Sequence, residues 1–167
     1  MIDAGYARTM ARYNAWQNRS LYREAGRLTD EQRRQDKGVF FRSLHATLAH
    51  ILWGDTVWMS RFDNWEKPPV GPADGETWLD WEQLQTKRLE ADRRIAQWAD
   101  NLTAKALEGD LAWYSGVLGR NVTKPMWVTV VHFFNHQTHH RGQAHAILTG
   151  FGMKPDATDL AFMPDDA

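Results

Sequence analysis

The chain has 167 residues, a formal net charge of -1 and a pI near 6.6. This length suits one domain over residues 1–167, and the balanced charge gives no general attraction for nucleic acid or anionic lipids. The sequence has no cysteine for disulfides or thiolate metal ligands, no apolar run long enough to span a membrane, and no secretory signal after Met1, so we expect a cytoplasmic protein.

Four segments combine apolar residues at helical spacing with strong helix formers, and the predicted helices cover about residues 6–28, 44–64, 78–101 and 126–149. Between the first two, Thr29-Asp30 is expected to cap a short turn that begins at Glu31. Ser43 and Thr77 are the predicted N-caps of the second and third helices, and Gly150 fits the position just after the last helix.

The segment from Gly109 to Pro125 interrupts the helical pattern, which predicts a small hairpin or an irregular lid. The third helix carries a run of charge that indicates a solvated outer face: Lys87, Arg88, Glu90, Asp92, Arg93 and Arg94. Together the elements predict an all-α fold, a four-helix bundle with an irregular or hairpin segment before its last helix. The nine tryptophans suggest a wide core, a lined pocket or a subunit interface.

Histidines are concentrated in the last predicted helix, which contains five of the seven: His132, His136, His139, His140 and His145. His136 and His140 lie one turn apart on the apolar stripe of this helix, so both imidazoles face inward and could hold one ion. A pair of hydrogen-bonded interior imidazoles is the competing interpretation. His132 and His139 lie at the border of the stripe and fit supporting or surface groups, and His145 points largely away.

A third ligand has to come from another helix, and the second predicted helix offers His45 and His50. Periodicity does not choose between them, because both lie at the edge of the apolar stripe. Gly54 lies one turn after His50 and would leave open space beside it, which gives weak support for His50. His45 is interpreted as a surface or packing group.

Three motifs resemble a known family. The segment Ser43–Phe62 is similar to the second helix of DinB-like (YfiT-like) proteins, and Asn135–Gln143, which reads NHQTHHRGQ, is similar to the signature in their last helix. Tyr13–Trp16 matches their first helix, so the resemblance covers nearly the whole chain. It implies a four-helix bundle, often dimeric, with a three-histidine metal site open to a cleft. The implied metal ligands are His50, His136 and His140.

Relatives in the wider superfamily are metal-dependent S-transferases of low-molecular-weight thiols and a thiol-dependent isomerase. Three neutral imidazoles leave a coordination position free, as catalytic zinc sites do. We therefore expect one divalent metal ion, zinc or nickel first, with iron or manganese also compatible. The expected function is a homodimeric, metal-dependent transferase that joins a small thiol to an electrophilic small molecule. The alternatives are an ion that only staples two helices, and a metal-free bundle.

Other residues near the predicted ligands are candidates for supporting roles. Asp55 could orient a ligand imidazole, although a surface acid or an ion-pair partner fits equally well. His139 and Gln143 could reach the rim of the cleft, and Arg141 could pair with an acid or tether the fold. The aromatic candidates for a pocket wall, or for ordinary packing, are Trp53, Trp113 and Tyr114. The sequence does not single out a general base.

Overall fold

A computed structural model describes residues 2–75 and 77–167. In this described part the helices are α1 (Ala4–Ala25), α2 (Asp30–Arg34), α3 (Leu44–Phe62), α4 (Trp81–Asn101) and α5 (Met126–Gly150). Two antiparallel strands, β1 (Asp110–Ser115) and β2 (Arg120–Pro125), form a hairpin between α4 and α5. The four long helices make the bundle and α2 is little more than one turn. The predicted all-α bundle with a hairpin before its last helix is therefore confirmed.

The bundle packs α1 against α4 and α5, and α3 against the same two helices. Aliphatic side chains fill its centre together with the rings of Phe133, Phe134 and Trp98, and Phe133 packs edge-on against the other two. Because α3 and α5 are direct neighbours, side chains of the second and the last predicted helices meet along one seam. Among the described residues, no helix combines the length and the apolar character needed to cross a membrane.

Side-chain caps decide where the helices begin. Ser43 accepts a backbone hydrogen bond at the start of α3, as predicted. α4 begins at Trp81, a few residues later than predicted, because a capping box between Asp80 and Gln83 closes its N-terminus in place of the predicted cap Thr77. The carboxylate of Asp80 accepts from the backbone N–H of Gln83, a group that would otherwise be unpaired at the start of the helix. This hydrogen bond fixes the N-terminus of α4.

The end of α5 also differs from the prediction. The helix includes Gly150, and Phe151 occupies the C-cap. Left-handed backbone, which glycine adopts without strain, occurs instead at Gly152 with φ of 76°, where the chain leaves the bundle. The tail then returns along α1, where the hydroxyl of Tyr13 donates to the carbonyl of Thr158 at 2.6 Å.

The charged run of α4 is only partly a solvated face. Lys87, Glu90 and Arg93 are exposed, whereas Arg88 and Asp92 are buried. Positions 88 and 92 lie one turn apart and share the inward side of the helix with the buried apolar positions 84, 91 and 95. The prediction of a solvated outer face is therefore wrong at these two positions.

Arg88 is the centre of a buried polar network. Its guanidinium lies 2.6 Å from Asp55 of α3 and 2.7 Å from Asp92 of α4. The second oxygen of Asp55 accepts from the side-chain amide of Gln137 on α5 at 2.8 Å. Because Gln137 directly follows His136 in the chain, this network fixes the depth at which α5 presents that imidazole to α3.

Candidate metal centre

Three imidazoles converge where α3 packs against α5. His50 lies on α3, and His136 and His140 lie one turn apart on α5. Nε2 of His50 is 3.1 Å from Nε2 of His136, and one ring nitrogen from each of the three histidines lies within 4.8 Å of the other two. The ring centroids are 4.5 to 5.1 Å apart. We refer to these three residues as the triad.

Gly54 lets the two helices bring their imidazoles together. The ring of His136 fills the space beside Gly54 where a β-carbon would stand. The open space that the sequence suggested next to His50 is therefore occupied by a ring from α5. His45 lies elsewhere: it is buried, and its Nε2 is 3.0 Å from the carbonyl oxygen of Leu79. It is a packing group rather than a member of the cluster.

Of the residues expected to support the ligands, Gln143 contacts one directly. Nδ1 of His140 lies 2.8 Å from Oε1 of Gln143, an oxygen that can only accept. Nδ1 therefore carries the proton of His140, and Nε2 is left with its lone pair. His139 is exposed, and its ring packs edge-on against His140 with 4.8 Å between centroids.

Two other charged candidates point away from the triad. Both oxygens of Asp55 accept from the buried network around Arg88 rather than from an imidazole. Arg141 is buried on the side of α5 that faces α1, where its guanidinium donates to Asn14 of α1 and to Thr138. Asp55 is therefore an ion-pair partner, and Arg141 tethers α5 to α1.

Aromatic side chains cover the triad on its α3 side. Phe41 stacks on His50 with 3.8 Å between centroids, and its ring is 5.2 Å from that of His140. Trp53 also stacks on His50, with 5.9 Å between centroids, and its indole donates a 3.1 Å hydrogen bond to the carbonyl of Val70. Phe41 was not predicted as a site residue. It lies in the irregular segment before α3, where periodicity gives no orientation.

Burial keeps the triad uncharged. Burial and the neighbouring His140 lower the pKa of His50 to about 4. Burial and the other imidazoles lower the pKa of His136 to about 3. Burial also lowers the pKa of His140, against the opposing effect of the hydrogen bond to Gln143. All three rings are neutral at pH 7, which is the protonation state in which imidazole binds a metal ion.

The arrangement of donor nitrogens fits a divalent cation. Two imidazole nitrogens that share a tetrahedral zinc ion stand roughly 3.4 Å apart, close to the 3.1 Å between His50 and His136. Neutral nitrogen donors suit zinc, nickel and other first-row transition metals, whereas magnesium and calcium prefer oxygen. The cluster is therefore one that could hold a transition-metal ion.

The DinB family model matches residues 1–167. The chain belongs to the DinB family. In fold, this DinB chain is similar to a DinB-like protein from Bacillus cereus ATCC 10987 seen in a crystal structure, with a TM-score of 0.58 and 19% identity. That similarity covers 85% of this chain and 90% of the other, and at this identity it shows the fold alone. No curated protein matches the chain.

In this DinB chain the hairpin packs an aromatic residue against α3. Trp113 of β1 packs edge-on against Trp58 of α3, with 5.4 Å between centroids. Tyr114, the next residue, points outward and is 65% exposed. Of the three aromatic residues considered as a pocket wall, Trp53 therefore stacks on a triad imidazole, whereas Trp113 contacts Trp58 of α3.

Proposed function

We propose that this DinB chain binds one divalent transition-metal ion through His50, His136 and His140. The observation that carries the proposal is the convergence of three neutral ring nitrogens from two helices. A hydrogen bond between two imidazoles would account for the 3.1 Å contact between His50 and His136. It gives no reason for the third ring, His140, which Gln143 orients by accepting a hydrogen bond from its Nδ1.

We further propose that the DinB chain is a metal-dependent transferase for a low-molecular-weight thiol and an electrophilic small molecule. A divalent ion held by His50, His136 and His140 would keep a free coordination position and would lower the pKa of a thiol or water bound there. In the transfer, the sulfur forms a bond to an electrophilic carbon, the leaving group departs with the bonding electron pair, and the thiol proton passes to water.

The chain's own residues would prepare the site for this chemistry in two ways. Gln143 holds His140 in one tautomer and orientation, so that the ring loses less conformational freedom when a ligand binds. Phe41 and Trp53 shield part of His50 from water, which strengthens electrostatic interactions at the triad. His50 and His136 both remain partly accessible, which supports an open site rather than a sealed one.

One observation also favours a second function, an ion that only staples the bundle. The triad joins α3 to α5, so an ion there would cross-link two helices and stabilise the fold without turnover. Zinc or nickel is the expected ion in either case, with iron and manganese as further candidates.

Metal analysis of the purified chain tests the binding proposal. The wild type should carry one ion per chain, and His136→Ala should lose it, whereas His145→Ala, which changes a histidine outside the triad, should keep it. Equal metal content in the first variant and the wild type would refute the assignment.

Thiol ligation is tested separately, by adding 2-mercaptoethanol to the cobalt-substituted protein. A thiolate absorption band supports the transferase. An unchanged spectrum, together with a melting temperature raised by the ion, supports the staple.

A further inference from the structure

The guanidinium of Arg61 on α3 packs against two indole rings. Its guanidinium carbon lies 4.4 Å from the ring centroid of Trp58 and 5.3 Å from that of Trp113 on the hairpin. Contacts of a guanidinium with aromatic faces fix the plane of the cation but use none of its N–H groups. The side chain is thus oriented by packing while its hydrogen-bond donors stay available.

The charge of Arg61 has no partner in the part of the chain that the structure describes. Burial lowers its pKa, and neither a carboxylate nor a hydrogen bond acts in the opposite direction. The titratable group that responds to it is another base, His132, whose pKa is lowered by burial and by the charge of Arg61. An anionic ligand gains the most binding free energy beside a half-buried guanidinium that has no acidic partner.

A continuous row of rings connects this cation to the triad. The ring of Trp58 packs edge-on against that of His132 at 4.9 Å, and the ring of His132 is 5.9 Å from that of His136. Trp58 and His132 therefore link Arg61 to the triad. A small molecule that lies along these rings can have one end at the triad and the other at the guanidinium.

We propose that Arg61 binds a carboxylate of the small thiol whose sulfur is directed at the triad. The inference rests on the proposed transferase function and names its thiol substrate class, a thiol that carries a carboxylate at the far end of an extended molecule. A carboxylate matches the planar fork of a guanidinium with two parallel hydrogen bonds. Trp58 and Trp113 supply an apolar wall for the body of the molecule.

The competing role for Arg61 is structural, because its contacts with Trp58 and Trp113 also fasten the hairpin to α3. A tether would affect all ligands alike. A carboxylate-binding residue affects only ligands that have the carboxylate. The two roles are therefore separated by a pair of thiols that differ in charge and in nothing else that touches the triad.

The experiment measures thiol binding to the cobalt-substituted protein by visible absorption, with glutathione, its diethyl ester and 2-mercaptoethanol as probes. In the wild type, glutathione should bind more tightly than the ester by roughly tenfold to a hundredfold, the usual effect of hydrogen bonds to a charged group. Arg61→Gln should remove this preference and leave the affinity for 2-mercaptoethanol unchanged. Arg61→Lys should keep part of it, and Arg8→Gln, at an exposed arginine on α1, should keep all of it.

An equal loss of affinity for all three probes in Arg61→Gln, or an undiminished preference for glutathione, would overturn the inference. If no thiol changes the wild-type spectrum, thiol ligation itself fails, and with it the proposed function. Arg61 is then judged on its own by calorimetry with S-methylglutathione, which has the carboxylates but no free thiol. Binding to the wild type that is lost in Arg61→Gln supports carboxylate recognition, and equal heats for the two proteins refute it.

Discussion

The imidazole of His136 lies against the bare backbone of Gly54. A β-carbon added to Gly54 would stand 2.9 Å from Cε1 of His136 and 3.4 Å from its Nδ1. The first distance is shorter than van der Waals contact allows, so a side chain at position 54 and the present position of the ring exclude each other. The glycine therefore determines where one predicted metal ligand can be.

The first prediction is that Gly54→Ala weakens metal binding much more than it weakens the fold. The methyl group meets the end of a side chain that can rotate, so the protein can relieve the contact by moving His136. The ring then leaves the triad. We expect a loss of metal affinity of at least about tenfold, as for other losses of ligand geometry, measured by competition with a chelator.

A matched control exists on the facing helix. Gly142 lies inside α5, and a β-carbon there would meet nothing within 4 Å beyond the backbone of its own helix. Gly142→Ala should stabilise the protein slightly, by about 0.5–1 kcal/mol, because alanine is the better helix former. Its metal affinity should equal that of the wild type. Equal affinities in both variants would show that the contact between Gly54 and His136 does not position a ligand.

The second prediction concerns the hydrogen bond from His140 to Gln143. Gln143→Leu keeps the size of the side chain but removes the oxygen that accepts from Nδ1 at 2.8 Å. His140 is then free to change its tautomer and to rotate, and the metal affinity should fall by about 10- to 100-fold. Gln143→Glu keeps the acceptor and should bind metal at least as tightly as the wild type. A chelator competition series over the three proteins measures this, and the same affinity in the leucine variant would contradict it.

The helices that carry the triad could be predicted from the sequence because their signals are local. His136 and His140 are four residues apart, so helical geometry alone puts them on one side of α5. The choice of His50 over His45 could not be made this way, since it depends on which side of α3 meets α5. The family resemblance supplied that choice, and the structure gives its physical reason in the space beside Gly54.

The parts of the site that escaped prediction depend on contacts between distant segments. Phe41 covers His50 from a loop without periodicity, so no sequence rule orients its ring. The burial of Arg88 and Asp92 was missed because a run of charge on a helix usually faces water. Here Asp55 on α3 neutralises the buried charge of Arg88 on α4, and the two residues are 33 positions apart in the chain.

The third prediction follows from this buried network. Arg88→Met keeps most of the side-chain volume but leaves the carboxylates of Asp55 and Asp92 without their cation. Breaking a buried ion pair from one side lowers the free energy of unfolding by about 3–5 kcal/mol. Arg93→Met, at an exposed position of the same helix, should change it by less than about 0.5 kcal/mol. Urea unfolding at pH 7.5 compares the two variants, and similar midpoints would contradict the role assigned to Arg88.

The same variant should respond to pH in a defined direction. Burial already raises the pKa of Asp92 to about 6, although Arg88 opposes the shift. Without Arg88 the pKa rises further, so the folded state takes up a proton that the unfolded state does not hold at pH 5.5. The destabilisation of Arg88→Met should therefore be smaller at pH 5.5 than at pH 7.5. If the stability difference between Arg88→Met and the wild type instead grows as the pH falls, Asp55 and Asp92 are not left charged and buried in the variant.

The fourth prediction uses His45, the buried histidine outside the triad. Burial and the nearby Arg34 lower its pKa, while the hydrogen bond to the carbonyl of Leu79 and the charge of Asp30 raise it less. A histidine whose pKa is lowered by folding supports the native state above the unfolded pKa of about 6.5. That support is lost as the pH falls towards the folded pKa, because only the unfolded chain takes up the proton.

His45→Gln tests this with a side chain that can still donate to the carbonyl of Leu79 but does not titrate. The variant should be less stable than the wild type at pH 7.5, because the amide fills the ring's site less well. The difference should shrink at pH 5.5, where the wild type alone has lost the contribution of His45. Thermal unfolding of the metal-free proteins at both pH values measures it, with His145→Gln as the control at a partly exposed histidine of α5. The triad contributes equally to all three proteins, so an unchanged difference between the two pH values would mean that His45 does not titrate differently in the folded and unfolded chains.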